Sequence, residues 1–340
     1  MEQPYDLTGG PGLEHDHGTV YKKTINSYEV NLGGRIIRCS LASSLRKELV
    51  YTRADPSAAR RRVKAVREED HSDPVAVGDH VLVQEVGGGA GVIQAVLPRR
   101  NRLSRRTAVP RPGAHAFEQV VAANLDQVVP VFAAAQPEPH WAMLDRYLAV
   151  CESAELPALV VITKMDLLGG EPPDELQQAT QQYRQIGYPV LWVSAHSGEG
   201  LAELEAALRG KISVLVGKSG VGKTTLLNAL QPGLGRRVAA VSQATGKGRH
   251  TTAWMELTPL SDDGAVVDTP GMREVGLWDV DRERLDWLFP EMRPWIGGCR
   301  FGPDCTHDQE PGCAVRQAVM AGRIAPRRYR SYLRLREGQG

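Results

Sequence analysis

Between about Gln119 and Leu230, short apolar runs alternate with segments whose apolar residues recur at three- and four-residue spacing. The runs "DQVVPVFAA", "ALVVIT", "PVLWVS" and "KISVLVG", with "AVVD" further on, are continuous rather than alternating, the pattern of strands buried on both faces. The segments "HWAMLDRYLAVCESA", "PDELQQATQQYRQIG" and "GLAELEAALRG" carry the helical period, and "KTTLLNAL" opens another helix. This alternation predicts a mainly parallel sheet covered by helices, with ligands gathering at the carboxyl ends of its strands.

The flanks read differently. From Tyr28 the runs "YEVNLGGRIIRCSL", "KELVYTRA", "DHVLVQEVGG" and "AGVIQAVLP" are strand-like and punctuated by Gly and Pro, predicting a small β-barrel of the oligonucleotide-binding type. The charged stretch "DPSAARRRVKAVREEDHSDP" is expected to be a loop, and the basic run "LPRRNRLSRR" to close the barrel. Residues 1–24, rich in Gly, His and Pro, are expected to form a disordered leader. The predicted division is a leader over 1–24, a barrel over 25–112, an α/β domain over 113–292 and a C-terminal unit over 293–340.

A chain of 340 residues, 42% hydrophobic, is long enough for more than one core. Its formal net charge of +1 hides a division. Residues 25–112 carry sixteen basic and nine acidic side chains, residues 314–340 seven and one, and residues 113–313 sixteen and twenty-six. Basic wings around an acidic centre fit a polyanionic partner such as RNA, since Lys and Arg near phosphates release condensed counterions; a merely solvated surface is the alternative. No basic-plus-apolar segment begins the sequence, and no apolar run approaches the roughly 20 residues needed to cross a bilayer, so a cytoplasmic protein without a membrane partner is expected.

The chemistry falls at the strand ends. Gly217, Gly222, Lys223 and Thr224 satisfy G-x-x-x-x-G-K-S/T between a strand and a helix. Gly217, Lys218, Ser219, Gly220, Val221 and Gly222 can wrap phosphates in backbone N–H groups at the positive end of the helix that Lys223, Thr224 and Thr225 begin. Lys223 is expected at the β- and γ-phosphates and Thr224 on Mg²⁺. In "DTPG", Asp268 can hold Mg²⁺ through water while the Gly271 N–H faces the γ-phosphate. In the intervening "GKGRHTTAW", Thr251 or Thr252 can complete the Mg²⁺ shell.

A guanine reader of the Asn-Lys-x-Asp kind is absent after the phosphate loop; "VVITKMDLL" upstream takes its place, with Thr163, Lys164 and Asp166. A carboxylate at Asp166 accepts from both N1–H and the exocyclic amino group of guanine, a donor pair adenine lacks. Lys164 is expected to lie along the ring and brace the loop. In "WVSAHSGEG", Ser194 and Ala195 can supply backbone contacts to the base. The order is therefore base reader, base loop, phosphate loop, D-x-x-G: a circular permutation, in which the chain after Asp268 leads straight into the C-terminal unit.

That unit contains "CRFGPDCTHDQEPGC", placing Cys299, Cys305, His307 and Cys313 within fifteen residues. Three thiolates and an imidazole make a closed, structural Zn²⁺ site, with disulfides as the alternative. The following "AVRQAVMAGRIAPRRYRSYLRL" is expected to present an Arg-rich helical face.

From about Tyr28 to Leu335 the chain resembles the RsgA/YjeQ family of permuted, ribosome small-subunit-dependent GTPases, most specifically in "ANLDQVV", "LDRYL", "GKSGVGKTTLLNAL", "GRHTT", "DTPGMREVGLW" and "HDQEPGCAV". The resemblance implies an N-terminal oligonucleotide-binding barrel, a central permuted P-loop GTPase domain and a C-terminal zinc domain. It also implies a monomer acting in late maturation of the small (30S) ribosomal subunit on its 16S rRNA, with GTP hydrolysis stimulated by that particle. Met272 stands where Ras-like enzymes carry the Gln that orients water, and the resemblance points to His250 for that role. The family usually has Asn where this chain has Thr163; a hydroxyl makes only part of the contact an amide makes, which bears on guanine affinity and selectivity. Two further readings stand beside it: an ATPase of the same fold, and an RNA-binding scaffold whose nucleotide is structural.

Overall fold

Alternating inward and outward side chains close the N-terminal third on itself. The computed structural model describes residues 15–24, 27–47, 50–51, 71–106, 118–232, 256–260, 264–268 and 282–338. The N-terminal elements are β1 (Asp16–Lys23), β2 (Tyr28–Leu32), β3 (Arg35–Leu41), a single turn of helix α1 (Ser43–Arg46), the short pair β4 (Val50–Tyr51) and β5 (His71–Ser72), β6 (His80–Gly87) and β7 (Ala90–Val96). Antiparallel pairings β1–β2, β2–β3, β6–β7 and β1–β6, with β3–β7 parallel, join five strands into a barrel. Val20, Val30, Ile37, Cys39, Val81, Val83 and Ile93 fill it.

The leader expected over 1–24 is corrected here: Asp16–Lys23 is a barrel strand. Its buried positions are Gly18, Val20 and Lys23, so the inward face shows one large apolar residue and the alternation is invisible in the sequence. A Cβ at Gly18 would lie 2.4 Å from Val30 Cγ1, which is why the position is bare. Much of the charged loop, residues 52–70, lies outside the described residues.

The basic run forms β8 (Arg102–Arg106), which pairs with β9 (Glu118–Ala123) as a two-stranded antiparallel sheet. The predicted alternation follows: β10 (Gln127–Ala133), α2 (Trp141–Ser153), β11 (Val160–Thr163), α3 (Asp174–Ile186), β12 (Val190–Trp192), α4 (Leu201–Leu208), β13 (Ile212–Val216), α5 (Lys223–Leu230), β14 (Glu256–Pro259) and β15 (Ala265–Asp268). All seven β10 residues are buried, as a central strand requires. In α3, Leu176, Ala179, Thr180 and Tyr183 make the buried face, acidic Asp174 and Glu175 sit in the first turn, and Gly187 ends the helix in the left-handed conformation.

The strand order is β12-β11-β10-β13-β15-β14, parallel except for β14, and it continues through a β14–β1 pairing into the barrel. Leu144, Tyr147, Leu148, Leu176 and Tyr183 of α2 and α3 pack in one hydrophobic cluster with strand residues such as Phe132 and Ile162. Leu204, Leu208, Leu226 and Leu227 of α4 and α5 pack in another with Val129, Val131 and Leu215. Helices thus cover both faces.

The barrel meets this domain through backbone as well as side chains. Ala123 N–H donates to the Val77 carbonyl at 2.9 Å, and the Asn124 amide nitrogen to the Gly78 carbonyl at 2.9 Å. Gly78 has a φ of +87°, and a Cβ there would meet the Ala123 carbonyl oxygen at 2.2 Å, so the close approach demands glycine. Beneath it the fully buried Asp79 accepts from Arg99 Nε and Nη2, each at 2.7 Å, and from Ala76 N–H at 2.7 Å.

After β15 the described chain resumes at Arg282–Leu288, then Arg293–Trp295 and Gly302–Asp304 as 3₁₀ turns, followed by α6 (Ala314–Met320) and α7 (Pro326–Arg336). The stretch 314–335, expected to present an Arg-rich helical face, is two helices, parted where Gly322 takes a φ of +71° and Pro326 begins the second. Leu285, Phe289 and Met292 share a core with Cys299, Cys305, Cys313, Val315, Ile324 and Tyr332. The expected Arg-rich face is also incomplete: Arg328 points inward and is 1% exposed, while Arg323, Arg330 and Arg334 stay outside. Arg328 donates to Asp145 of α2 at 2.9 Å and to both oxygens of Glu291 at 2.6 and 3.1 Å; Asp145 also accepts from Tyr183 at 2.6 Å and Ser331 at 2.5 Å. Among the described residues no helix is long and apolar enough to cross a membrane.

Candidate functional site

Parallel registry brings the predicted motifs to one edge of the sheet. Pro130 of β10 lies beside Val216 of β13, Ala133 of β10 beside Thr163 of β11, and Leu215 of β13 beside Asp268 of β15. The phosphate loop therefore leaves the sheet between the strand that ends in the base reader's Thr163 and the strand that ends in Asp268. A Cβ at Gly217 would lie 2.3 Å from the Val131 carbonyl oxygen, and Gly222 takes a φ of +96° at the start of α5, which fixes the two glycines of the motif.

Lys223 Nζ donates to the carbonyls of Gly217 at 2.6 Å and Lys218 at 3.0 Å, holding its ammonium group over the mouth of the loop. Lys218, Ser219, Gly220, Thr224 and Thr225 are exposed around it, and Val221 is buried beneath. The first turn of α5 thus offers backbone donors, a cation and two hydroxyls on one surface, the chemistry of a polyphosphate site.

Thr163 is 3% exposed, and its hydroxyl lies 2.5 Å from the Val221 carbonyl and 3.2 Å from that of Phe132. This bond ties the base loop to the phosphate loop although 58 positions separate the residues. Lys164, in the left-handed conformation, sends Nζ to the Gln136 carbonyl, bracing the loop after β10. Asp166 is exposed, and its Oδ1 accepts from the Ser194 hydroxyl at 2.6 Å. Ser194 is itself fully buried and accepts from the backbone N–H of His196 and Ser197 at 3.2 and 3.0 Å. Its side chain aims the carboxylate, a contact between side chains that was not expected of Ser194, which with the half-buried Ala195 was expected only to offer backbone to the base. Gln136 was missed altogether, since it contributes a main-chain carbonyl that any residue would carry.

His250, Thr251, Thr252 and Gly271 lie outside the described residues, and of Asp268 only the backbone is described.

The second constellation is Cys299, Cys305, His307 and Cys313, all buried, with ligand atoms within 4.8 Å of one another. Cys299 Sγ lies 3.8 Å from Cys313 Sγ, and His307 Nδ1 lies 3.5 and 3.4 Å from these two sulfurs. A tetrahedral ion with bonds of about 2.3 Å to sulfur and about 2.0 Å to nitrogen sets its ligands roughly 3.5 to 3.8 Å apart, so the donor set fits zinc. All three cysteines are free thiols, which disfavours the disulfide alternative. Backbone N–H groups of Ala314 and Arg316 point at Cys299 and Cys313, at 3.3 and 3.4 Å. Glu310 staples the turn by accepting from Thr306 and Asp308; burial works to raise its carboxyl, but hydrogen bonds from Thr306 and the backbone outweigh it and hold it at about 2. Tyr329 and Tyr332 of α7 donate to the carbonyls of His307 and Thr306, at 2.5 and 2.8 Å.

Comparison with known proteins agrees with this geometry. Residues 96–278 match the family model described as RsgA GTPase. A protein of Gemmatimonas aurantiaca named small ribosomal subunit biogenesis GTPase RsgA is 47% identical over 265 residues, covering 77% of this chain and 84% of its own. The protein of the same name from Ectopseudomonas mendocina is 44% identical over 76% of this chain and 73% of its own. Among solved structures, YjeQ from Thermotoga maritima superimposes with a TM-score of 0.70 at 32% identity, covering 96% of this chain and 99% of that one. YloQ, described as a circularly permuted GTPase, gives 0.65 at 28% identity over 96% and 95%. With the Thr163–Asp166 segment encoded ahead of the Gly217–Thr224 loop yet bonded to it, and with relatives this similar over three quarters of its length, the chain is a GTPase of the RsgA family.

Proposed function

We propose that this GTPase serves in biogenesis of the small ribosomal subunit, the role its relatives' names give them, and that it hydrolyses GTP in response to that particle. In this reading Asp166 reads guanine, with Thr163, Lys164, Ser194 and Ala195 shaping the base loop. The phosphates rest on residues 217–225, with Lys223 neutralising the β- and γ-phosphates. Thr224 and Asp268, with Thr251 or Thr252, would hold Mg²⁺, which when bound would further neutralise the charge that develops on the transferred group. Gly271 faces the γ-phosphate, and His250 orients the attacking water. No side chain bonds covalently to phosphorus; positioning and charge carry the rate.

The N-terminal barrel is, in this proposal, of the oligonucleotide-binding type, which its β1-β2-β3-β7-β6 ring with one parallel pair supports. The segment over 25–112, which holds the barrel and the basic strand β8, and the unit over 293–340 are the basic wings that meet 16S rRNA. Cys299, Cys305, His307 and Cys313 hold one structural Zn²⁺ per chain, and the protein works as a cytoplasmic monomer. The observation that carries the nucleotide reading is the bond between Thr163 and Val221, which joins base loop and phosphate loop into one site.

The test is phosphate release measured with isolated small and large ribosomal subunits in parallel. Stimulation by the small subunit alone is expected. Equal rates with and without either particle would favour a scaffold with structural nucleotide.

A further inference from the structure

His307 is held on three sides. Its carbonyl accepts from Tyr329 of α7, its Nδ1 faces the sulfurs of Cys299 and Cys313, and its Nε2 lies 3.2 Å from Oδ2 of Asp286. Asp286 is buried too, 9% exposed, and its other oxygen accepts from the Trp287 N–H at 2.9 Å, so the carboxylate is fixed before it meets the ring. A neutral imidazole carries one N–H, and a carboxylate only accepts. The hydrogen therefore sits on Nε2, and the Nδ1 lone pair turns to the sulfurs.

Asp286 belongs to none of the sequence motifs. It lies in the 3₁₀ turn Arg282–Leu288, where the described chain resumes after β15 and Asp268. Its neighbours Leu285, Phe289 and Met292 pack into the core that holds Cys299, Cys305 and Cys313. We propose that Asp286 is the outer partner of the metal centre: it positions His307 with Nδ1 toward the three thiolates, and through it the metal clamps residues 282–292, downstream of the D-x-x-G strand, onto the C-terminal unit.

This rests on the reading of the four residues as zinc ligands, and the experiment separates the two. Metal analysis of the wild-type chain tests the ligands; about one zinc per chain is expected, and a folded chain without zinc would overturn the ligand reading and this inference together. Zinc release to a chromogenic chelator is then timed. Loss of such an outer partner costs roughly 10- to 100-fold in metal affinity, and release from Asp286→Ala is expected to accelerate by that order. Asp286→Asn keeps the size of the side chain and an oxygen that accepts from Nε2–H, so it should recover most of the loss. Asp304→Ala, which removes an exposed carboxylate from the ligand-bearing stretch 299–313 rather than from 282–292, should release zinc at the wild-type rate. Hydrogen exchange of peptides covering 282–292 should rise both in Asp286→Ala and in wild type stripped of zinc. Wild-type release rates in both Asp286 variants, or equal acceleration in Asp304→Ala, would overturn the role of Asp286 while leaving the ligands in place.

Discussion

The nucleotide domain has two neighbours and holds them differently. Toward the barrel, main-chain bonds such as Ala123 to Val77 run beside the buried Asp79–Arg99 pair, and β14 pairs with β1 at Glu256 and Lys22. Toward the C-terminal unit, the polar grip comes from side chains: Asp145 of α2 gathers donors from Tyr183, Arg328 and Ser331, and Arg328 spans Asp145 and Glu291. Asp79 and Asp145 are both fully buried, but Arg99 keeps 21% of its side chain in water whereas Arg328 keeps 1%. A joint with main-chain ties and a partly hydrated cation tolerates loss of one charge. A joint whose ions are fully stripped of water does not.

The largest effect is expected from Arg328→Leu, which leaves Asp145 and Glu291 buried without their cation at a cost of about 3–5 kcal/mol. Native-state hydrogen exchange across α7 measures it, and protection unchanged from wild type would break the contrast between the joints. A smaller effect is expected from Asp79→Asn. The amide oxygen still accepts, its NH₂ is left facing a donor of Arg99 or Ala76, and water solvates the partly exposed guanidinium, so the loss stays within the range for hydrogen bonds to charged groups, about 1.5–3 kcal/mol. Urea denaturation followed by barrel fluorescence or exchange reads it, and a loss larger than that of Arg328→Leu would reverse the comparison.

The same contrast explains what the sequence disclosed. β10, β11, β12, β13 and β15 announce themselves because strands buried on both faces need unbroken apolar runs, and each motif sits where such a run ends. The Cys-Cys-His-Cys cluster is legible because a short, Pro- and Gly-rich segment supplies its four residues with their own spacing. β1 was hidden by Gly18 and Lys23 at inward positions, and β14 by its four residues, of which Leu257 and Thr258 are buried. The roles of Asp79, Asp145 and Asp286 were hidden for a deeper reason, although Asp145 falls within "LDRYL". Each draws its meaning from a partner 20 or more positions away, and nothing in a lone Asp distinguishes a buried carboxylate from a solvated one. Thr163 was legible as a departure from Asn, but its bond to Val221 required the fold.

The central claim is that Asp166, encoded ahead of Lys223, reads the base of the nucleotide whose phosphates Lys223 binds. Displacement of labelled GDP by GTP and by XTP, in wild type and in Asp166→Asn, tests it most directly. Xanthine carries a carbonyl where guanine carries its amino group, so an amide whose oxygen accepts from N1–H and whose NH₂ donates there suits XTP and leaves the guanine amino group facing a donor. The account predicts that Asp166→Asn weakens GTP on the order of 100-fold and binds XTP better than wild type does. Unchanged GTP affinity, with no gain for XTP, would contradict it.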